Sequence, residues 1–225
     1  MVEPDTGLFL VSDGMGGHRG GELAADMVVQ DLPVKIEIGL DKLRTRSPRA
    51  IRALLKRLIA EQSKQVRMEA ASESGYVDMG ATMAMALVRD GRVYLANLGD
   101  SRIYRCREKQ LRQLNKDHSV IAELLELGRL HPDDAEDHSA QGQITQYIGM
   151  TEETQPFLRS FIPKEADRLL LCTDGLTDMV SERQIRGIMR HGEEPRATCR
   201  RLVDAANAAG GFDNVTALVV EWLGG

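Results

Sequence analysis

LFLVSDGMGG, residues 8–17, sets a short strand against a carboxylate and a glycine turn. Leu8, Phe9, Leu10 and Val11 form an apolar run closed by polar residues, the pattern of a buried strand. Ser12 and Asp13 follow, then Gly14, Gly16 and Gly17, which permit a sharp turn and close backbone approach. A carboxylate at the end of a rigid strand is held in one place, as a site of chemistry requires. The pattern returns in LLLCTDG, residues 169–175, where Asp174 ends an apolar run. It is reversed in GGFDNVTALVV, residues 210–220, where Asp213 precedes one. Three aspartates at strand ends meet if these strands are neighbours in a sheet.

A single Asp-Gly pair is first of all a turn former, and Asp90-Gly91, between two apolar runs, reads as a hairpin turn. Asp13, Asp174 and Asp213 differ because each abuts an apolar strand. Converging carboxylates repel one another unless a cation sits among them. No His or Cys stands at ligand spacing. An oxygen-only set therefore points to a hard cation, Mg²⁺ or Mn²⁺, and away from zinc.

The whole chain is compatible with that chemistry. Its 225 residues, 42% of them apolar, are enough for a proper core and favour a single domain over residues 1–225. A net charge of −5 argues against nucleic acid as partner. Cys106, Cys172 and Cys199 are odd in number and form no CxxC pair, which suggests reduced thiols and a cytoplasmic location. No apolar run approaches the roughly 20 residues of a membrane span. The start, MVEPDTG, has none of the features of a signal peptide.

In order along the chain, residues 21–32 carry a helical apolar pattern and residues 33–45, opening at Pro33, read as a loop. Ser47 and Pro48 look like the cap and first residue of a long helix with Ile51, Leu54, Leu55, Leu58, Ile59 and Val66 on its buried stripe. Strands are expected at residues 81–88, 92–98, 103–106 and 110–114, an antiparallel meander. Ser119 caps a helix closed by Gly128. Residues 129–141 are polar and read as an exposed flap. Strands resume at 143–148, 157–162 and 168–172. Ser181 with Gln184 matches a capping box, Pro195 opens the last helix, and residues 215–222 form the last strand. Many antiparallel strands with helices gathered in pairs suggest an α+β fold, a β-sandwich with helical layers outside.

LFLVSDGMGGH, GATMAMALV, NLGDSRIYR, DHS, LLLCTDGLTD and GGFDNVTALVV, in this order, resemble the motifs of the bacterial type 2C, metal-dependent protein serine/threonine phosphatases. The resemblance spans residues 7–222. It implies a four-layer αββα sandwich of two antiparallel sheets flanked by helices. It also implies hydrolysis of phosphoserine and phosphothreonine in proteins by metal-activated water, with two Mn²⁺ or Mg²⁺ ions. Asp13 resembles the aspartate that bridges the ions, with the Gly14 carbonyl beside it. Asp174 and Asp213 resemble the other ligands, and Asp100 a ligand of a third ion. Asn214 and Asp117 resemble supporting residues, and residues 129–141 the flap that influences substrate choice. Phosphoprotein substrates and a cognate serine/threonine kinase are the implied partners. Ser12 and Thr173 have no neighbouring base to make them nucleophiles. Met15 stands where animal members carry a histidine, and His18 reads as a packing residue.

One departure concerns the start. The family places an Arg and then Asn-Glu-Asp on a strand upstream of the DGMGG strand. Here only seven residues precede Leu8 and none matches, Glu3 and Asp5 included. The first strand is thus expected to be missing, one neighbouring edge bare, and the second ion and phosphate grip weakened. The competing reading is a non-catalytic domain of the same fold that binds a kinase or regulator.

Overall fold

The computed structural model describes residues 1–3, 6–72, 76, 78–135 and 137–224. In chain order the elements are β1 (Val2–Glu3), β2 (Leu8–Val11), β3 (Gly14–Met15), α1 (His18–Asp41), α2 (Pro48–Ala70), β4 (Gly80–Ala81), β5 (Met83–Arg89) and β6 (Arg92–Leu98). Then come β7 (Arg102–Arg107), β8 (Gln110–Gln113), α3 (Val120–Glu126), β9 (Phe157–Phe161), β10 (Arg168–Cys172), α4 (Asp174–Thr177), α5 (Glu182–Met189), α6 (Pro195–Ala208) and β11 (Ala217–Glu221). One sheet runs β1-β2-β5-β6-β9 and the other β11-β10-β7-β8, with β3 and β4 as a small ribbon. All named pairs are antiparallel.

The layering follows from strands that are apolar on both faces, because successive side chains point to opposite sides. Met83, Met85 and Leu87 of β5 face α1 and α2, together with Leu8 and Leu10 of β2. Ala84 and Ala86 face the other way and meet Leu169 and Leu171 of β10 between the sheets. Leu170 and Cys172 of β10 point outward to Ile185 and Met189 of α5 and Leu202 of α6. Helices, sheet, sheet, helices is the resulting order. No described helix is long and apolar enough to cross a membrane.

Three local expectations are corrected. Residues 33–41 continue α1 instead of forming a loop, and Pro33 lies inside the helix. Proline removes one backbone hydrogen bond there. However, Leu32, Ile36 and Leu40 extend the buried stripe against α2, and that burial holds the helix together. Residues 143–148 are not a strand. Ile144 makes one bridge with Ser119 and Ile148 one with Ala81, so the segment is divided between two distant partners and no ladder builds. The edge of β2 is not bare. Val2 and Glu3 pair with Phe9 and Leu8, and the Met1 amino group donates to the Leu10 carbonyl at 2.8 Å. Gly7, at φ 63°, lets the chain double back into this pairing.

The other signals translate directly. Ser47 accepts from the Ala50 N–H and Pro48 opens α2. Asp90 and Gly91 both have positive φ, as a two-residue hairpin turn requires. Ser181 and Gln184 form the reciprocal capping box of α5.

Candidate functional site

Four aspartates come to one end of the sandwich, from both sheets. Asp13 follows β2 in the first sheet. Asp100 lies in the turn that carries the chain from β6 in the first sheet to β7 in the second. Asp174 follows β10 and Asp213 precedes β11, and these strands are antiparallel neighbours with Cys172 opposite Ala217. The expected adjacency therefore holds for Asp174 and Asp213, while Asp13 approaches across the stack and not from a strand beside them. Asp178, at the end of α4, is a fifth acid at this end, one that the strand–Asp–Gly pattern does not reveal.

Glycine makes two close approaches possible. A Cβ on Gly14 would stand 2.0 Å from the Gly21 carbonyl oxygen, so the backbone after Asp13 rests directly on the first turns of α1. A Cβ on Gly175 would stand 2.2 Å from the Asn214 carbonyl oxygen, so the Asp174 and Asp213 loops touch backbone to backbone. Thr173 locks that contact: its hydroxyl accepts from the Thr216 N–H at 3.1 Å and donates to the Asn214 carbonyl. Within each loop the aspartate turns back on its own chain. Asp174 Oδ1 accepts from the Gly175 N–H at 2.8 Å, and Asp213 Oδ1 from the Asn214 N–H at 2.7 Å.

A buried hydroxyl chain ties Asp13 to the Asp100 turn. Thr82 Oγ1 accepts from the Asp13 N–H at 3.1 Å and lies 2.7 Å from Ser101 Oγ. The Thr82 N–H donates to the Asp13 carbonyl at 2.7 Å. Ser12 is occupied too, donating to the Thr82 carbonyl at 2.7 Å. Ser12 and Thr173 thus act as backbone ties, as residues without a base should. On the far side, the His118 N–H donates to the Gly99 carbonyl, and Nδ1 accepts from the Gly99 N–H. Asp117 Oδ2 receives Arg102 Nε at 2.7 Å, and Oδ1 receives Gln113 Nε2 at 2.6 Å. Thr82, His118 and Arg102 were missed by sequence reasoning, because only long-range contacts reveal what they hold.

Burial and crowding shape the electrostatics. The Asp13 carboxyl is pushed up to about 7, first by burial and then by Asp174, with which it shares a hydrogen bond, and by Asp213 and Asp100. Asp100 is also raised to about 7, by burial and by Asp174. Asp178 is raised for the same two reasons. Burial lowers His118, which favours its neutral ring. Among the described residues no three acidic, His or Cys side chains stand at ligating distance around one point. Asp13 and Asp174 touch through one hydrogen bond, and Asp213 and Asp100 lie close enough to raise the Asp13 carboxyl further. The Glu3 and His18 side chains and Asp5 lie outside the described residues.

These shifts fix the sign of a stability effect. Between the ordinary carboxylate pKa of 3.8 and about 7, the folded chain holds protons on Asp13 and Asp100 that the unfolded chain has released. Stability must then fall as pH rises through that window. In chelator, the unfolding midpoint should drop by ~5 °C between pH 5 and pH 7.5, about 2 kcal/mol after discounting for solvent in the open site. Saturating Mn²⁺ should flatten the slope. A midpoint in chelator that rises over this span contradicts the shared-proton account.

Asp100, Asp174 and Asp178 line a cleft of about 630 Å³. A profile of the family described as Protein phosphatase 2C matches residues 2–215. Protein phosphatase PhpP of Streptococcus pneumoniae is 35% identical over 215 residues, which are 95% of this chain and 85% of that protein. Among solved structures, the serine/threonine phosphatase of S. agalactiae superposes with a TM-score of 0.85 at 32% identity, covering 96% of this chain and 87% of that one. The catalytic domain of serine/threonine phosphatase PstP, solved with two manganese ions, superposes at 0.78 with 30% identity, covering 96% and 88%. The chain belongs to the protein phosphatase 2C family of metal-dependent protein serine/threonine phosphatases.

Proposed function

We propose that Asp13, the Gly14 carbonyl, Asp174 and Asp213 hold the divalent cations, Mn²⁺ or Mg²⁺, with Asp100 serving a third, weaker site. The convergence of these carboxylates at one end of the sandwich carries this reading. The donor set fits hard cations: it is all oxygen, and the burial and neighbouring carboxylates that raise Asp13 and Asp100 make this a place where positive charge is favoured. When bound, such ions supply a water pKa lowered towards neutrality and charge neutralisation at phosphate oxygens.

The chain's own residues position that chemistry. The Gly14 and Gly175 contacts set the height of Asp13 and Asp174. The Thr82–Ser101 pair keeps Asp13 and the Asp100 turn in one frame. Residues 1–225 act as one domain in this reading, with 129–141 as a flap beside the cleft. Its substrates are proteins bearing phosphoserine or phosphothreonine, and a serine/threonine kinase acting on the same targets is the partner.

The test is phosphate release from a phosphothreonine peptide in ¹⁸O-water, with Mn²⁺ or with chelator. Mn²⁺-dependent release with label in the phosphate, and no phosphoenzyme on acid quench, is expected. A stable phosphoserine or phosphocysteine adduct overturns the mechanism. Mn²⁺ binding without any release leaves the chain a binding domain of this fold.

A further inference from the structure

We propose that the apolar face of α3 is the subsite for an apolar side chain next to the phosphorylated residue, so that the protein prefers substrates whose phosphoserine or phosphothreonine is flanked by Leu, Ile, Val or Met. The inference rests on the phosphatase reading and names the substrate class within it.

The cleft is lined by two unlike sets of side chains. Asp100, Asp117, Asp174 and Asp178, with Arg102 among them, give it charge, and Ile121, Ala122 and Leu125 of α3 give it apolar surface. Positions 121, 122 and 125 share one helical face, since residues three and four apart are neighbours. That face does nothing for the core. No α3 residue is buried, and Ile121, Leu124 and Leu125 belong to none of the three core clusters. A short helix that leaves its large aliphatic residues in a cleft keeps them for something that enters it. Both sets line one continuous cavity. A chain whose phosphate lies at the carboxylates, with bound cations, meets α3 with an adjoining side chain.

Hydrogen bonds hold α3 beside the Asp100 turn. Ser119 Oγ caps α3 through the Ala122 N–H at 3.2 Å, and the Val120 N–H donates to the Gln143 carbonyl at 2.9 Å. His118, two residues before α3, bonds Gly99 through both its N–H and its ring, and Gly99 adjoins Asp100. The start of α3 and the Asp100 turn therefore move as one body, which is what a specificity pocket needs.

Three phosphothreonine peptides, identical except for Leu, Gly or Lys on both sides of the phosphorylated residue, test the inference with Mn²⁺ present. The wild type should show kcat/KM about 10-fold higher for Leu than for Gly, the scale at which a hydrophobic pocket discriminates. Ile121→Ser and Leu125→Ser should bring that ratio towards one, Leu125→Met should keep it, and Leu125→Glu should favour the Lys peptide. Met68→Ser, an exposed change on α2 away from the cleft, should leave the ratio unchanged. Ratios within one variant cancel any general loss of activity. Phosphate release with equal kcat/KM for all three peptides, or a Leu preference that survives Leu125→Glu, overturns the subsite and leaves the phosphatase reading standing. No release from any peptide by the wild type overturns both.

Discussion

Asp174→Asn and Asp213→Asn should each cut kcat/KM on a phosphothreonine peptide by ~10³-fold, about 4 kcal/mol, and strip most of the Mn²⁺ affinity. Asparagine keeps the shape of aspartate and its Oδ1 still accepts. The bonds from the Gly175 N–H to residue 174 and from the Asn214 N–H to residue 213 can persist, and the loops keep their course. What disappears is one negative charge from an all-oxygen donor set, and hard cations depend on that charge. The same loss relieves Asp13, whose carboxyl is raised in part by Asp174 and Asp213. The metal-free variants should therefore unfold at the same temperature as the parent or slightly above it. Lost affinity with undiminished stability separates a missing ligand from a damaged fold. Calorimetric titration with Mn²⁺ beside thermal unfolding in chelator reads both. Unchanged Mn²⁺ affinity in both variants would remove these residues from the site.

The aspartates were legible because each stands where an apolar run meets a glycine or asparagine, a pattern of period and punctuation that survives without any partner. The four layers were legible for a related reason: strands such as MAMALVR alternate between two apolar faces, and such strands must be covered on both sides. Contacts that depend on distant chain were not. Nothing near Pro33 announces that Ile36 and Leu40 will find α2 and override the proline. Ile144 and Ile148 look like a strand because their spacing is that of one, yet each is claimed by a different neighbour. Local pattern showed that Asp13 ends a strand, but the sheet holding that strand is decided by pairing with β5, far along the chain. Thr82 was equally hidden, for a hydroxyl in an apolar run shows its purpose only once Asp13 and Ser101 lie against it.

Arg168→Met should lower the unfolding midpoint by about 10 °C, near 3 kcal/mol for a chain of this size. Arg168 begins β10 and is only 4% exposed. Its Nη1 donates to the Met189 carbonyl at 3.0 Å, and its Nη2 to the Glu193 carbonyl at 2.6 Å and Thr198 Oγ1 at 2.9 Å. Met189 is the last residue of α5, where carbonyls lack helical partners and the helix end is negative. One guanidinium thus serves the end of α5, the link that follows and the first turn of α6, with Glu221 Oε2 3.7 Å from Nε to offset its charge. Methionine fills the space of the stem but leaves the buried Met189 carbonyl without a donor and the half-buried Glu193 carbonyl with only the Thr198 hydroxyl at 3.4 Å, and breaking a buried charged network costs several kcal/mol. Arg168→Lys should recover little, because an ammonium cannot span the same fork of acceptors. The effect should stop at stability. Asp174 lies beyond the other end of the same strand, roughly 15–20 Å away at the usual rise per residue. Mn²⁺ affinity of the folded variant should therefore match the parent at 15 °C. A midpoint within 2 °C of the parent would show that α5 and α6 are held by their apolar faces alone, and weakened Mn²⁺ binding in the folded variant would show that the two ends of β10 are coupled.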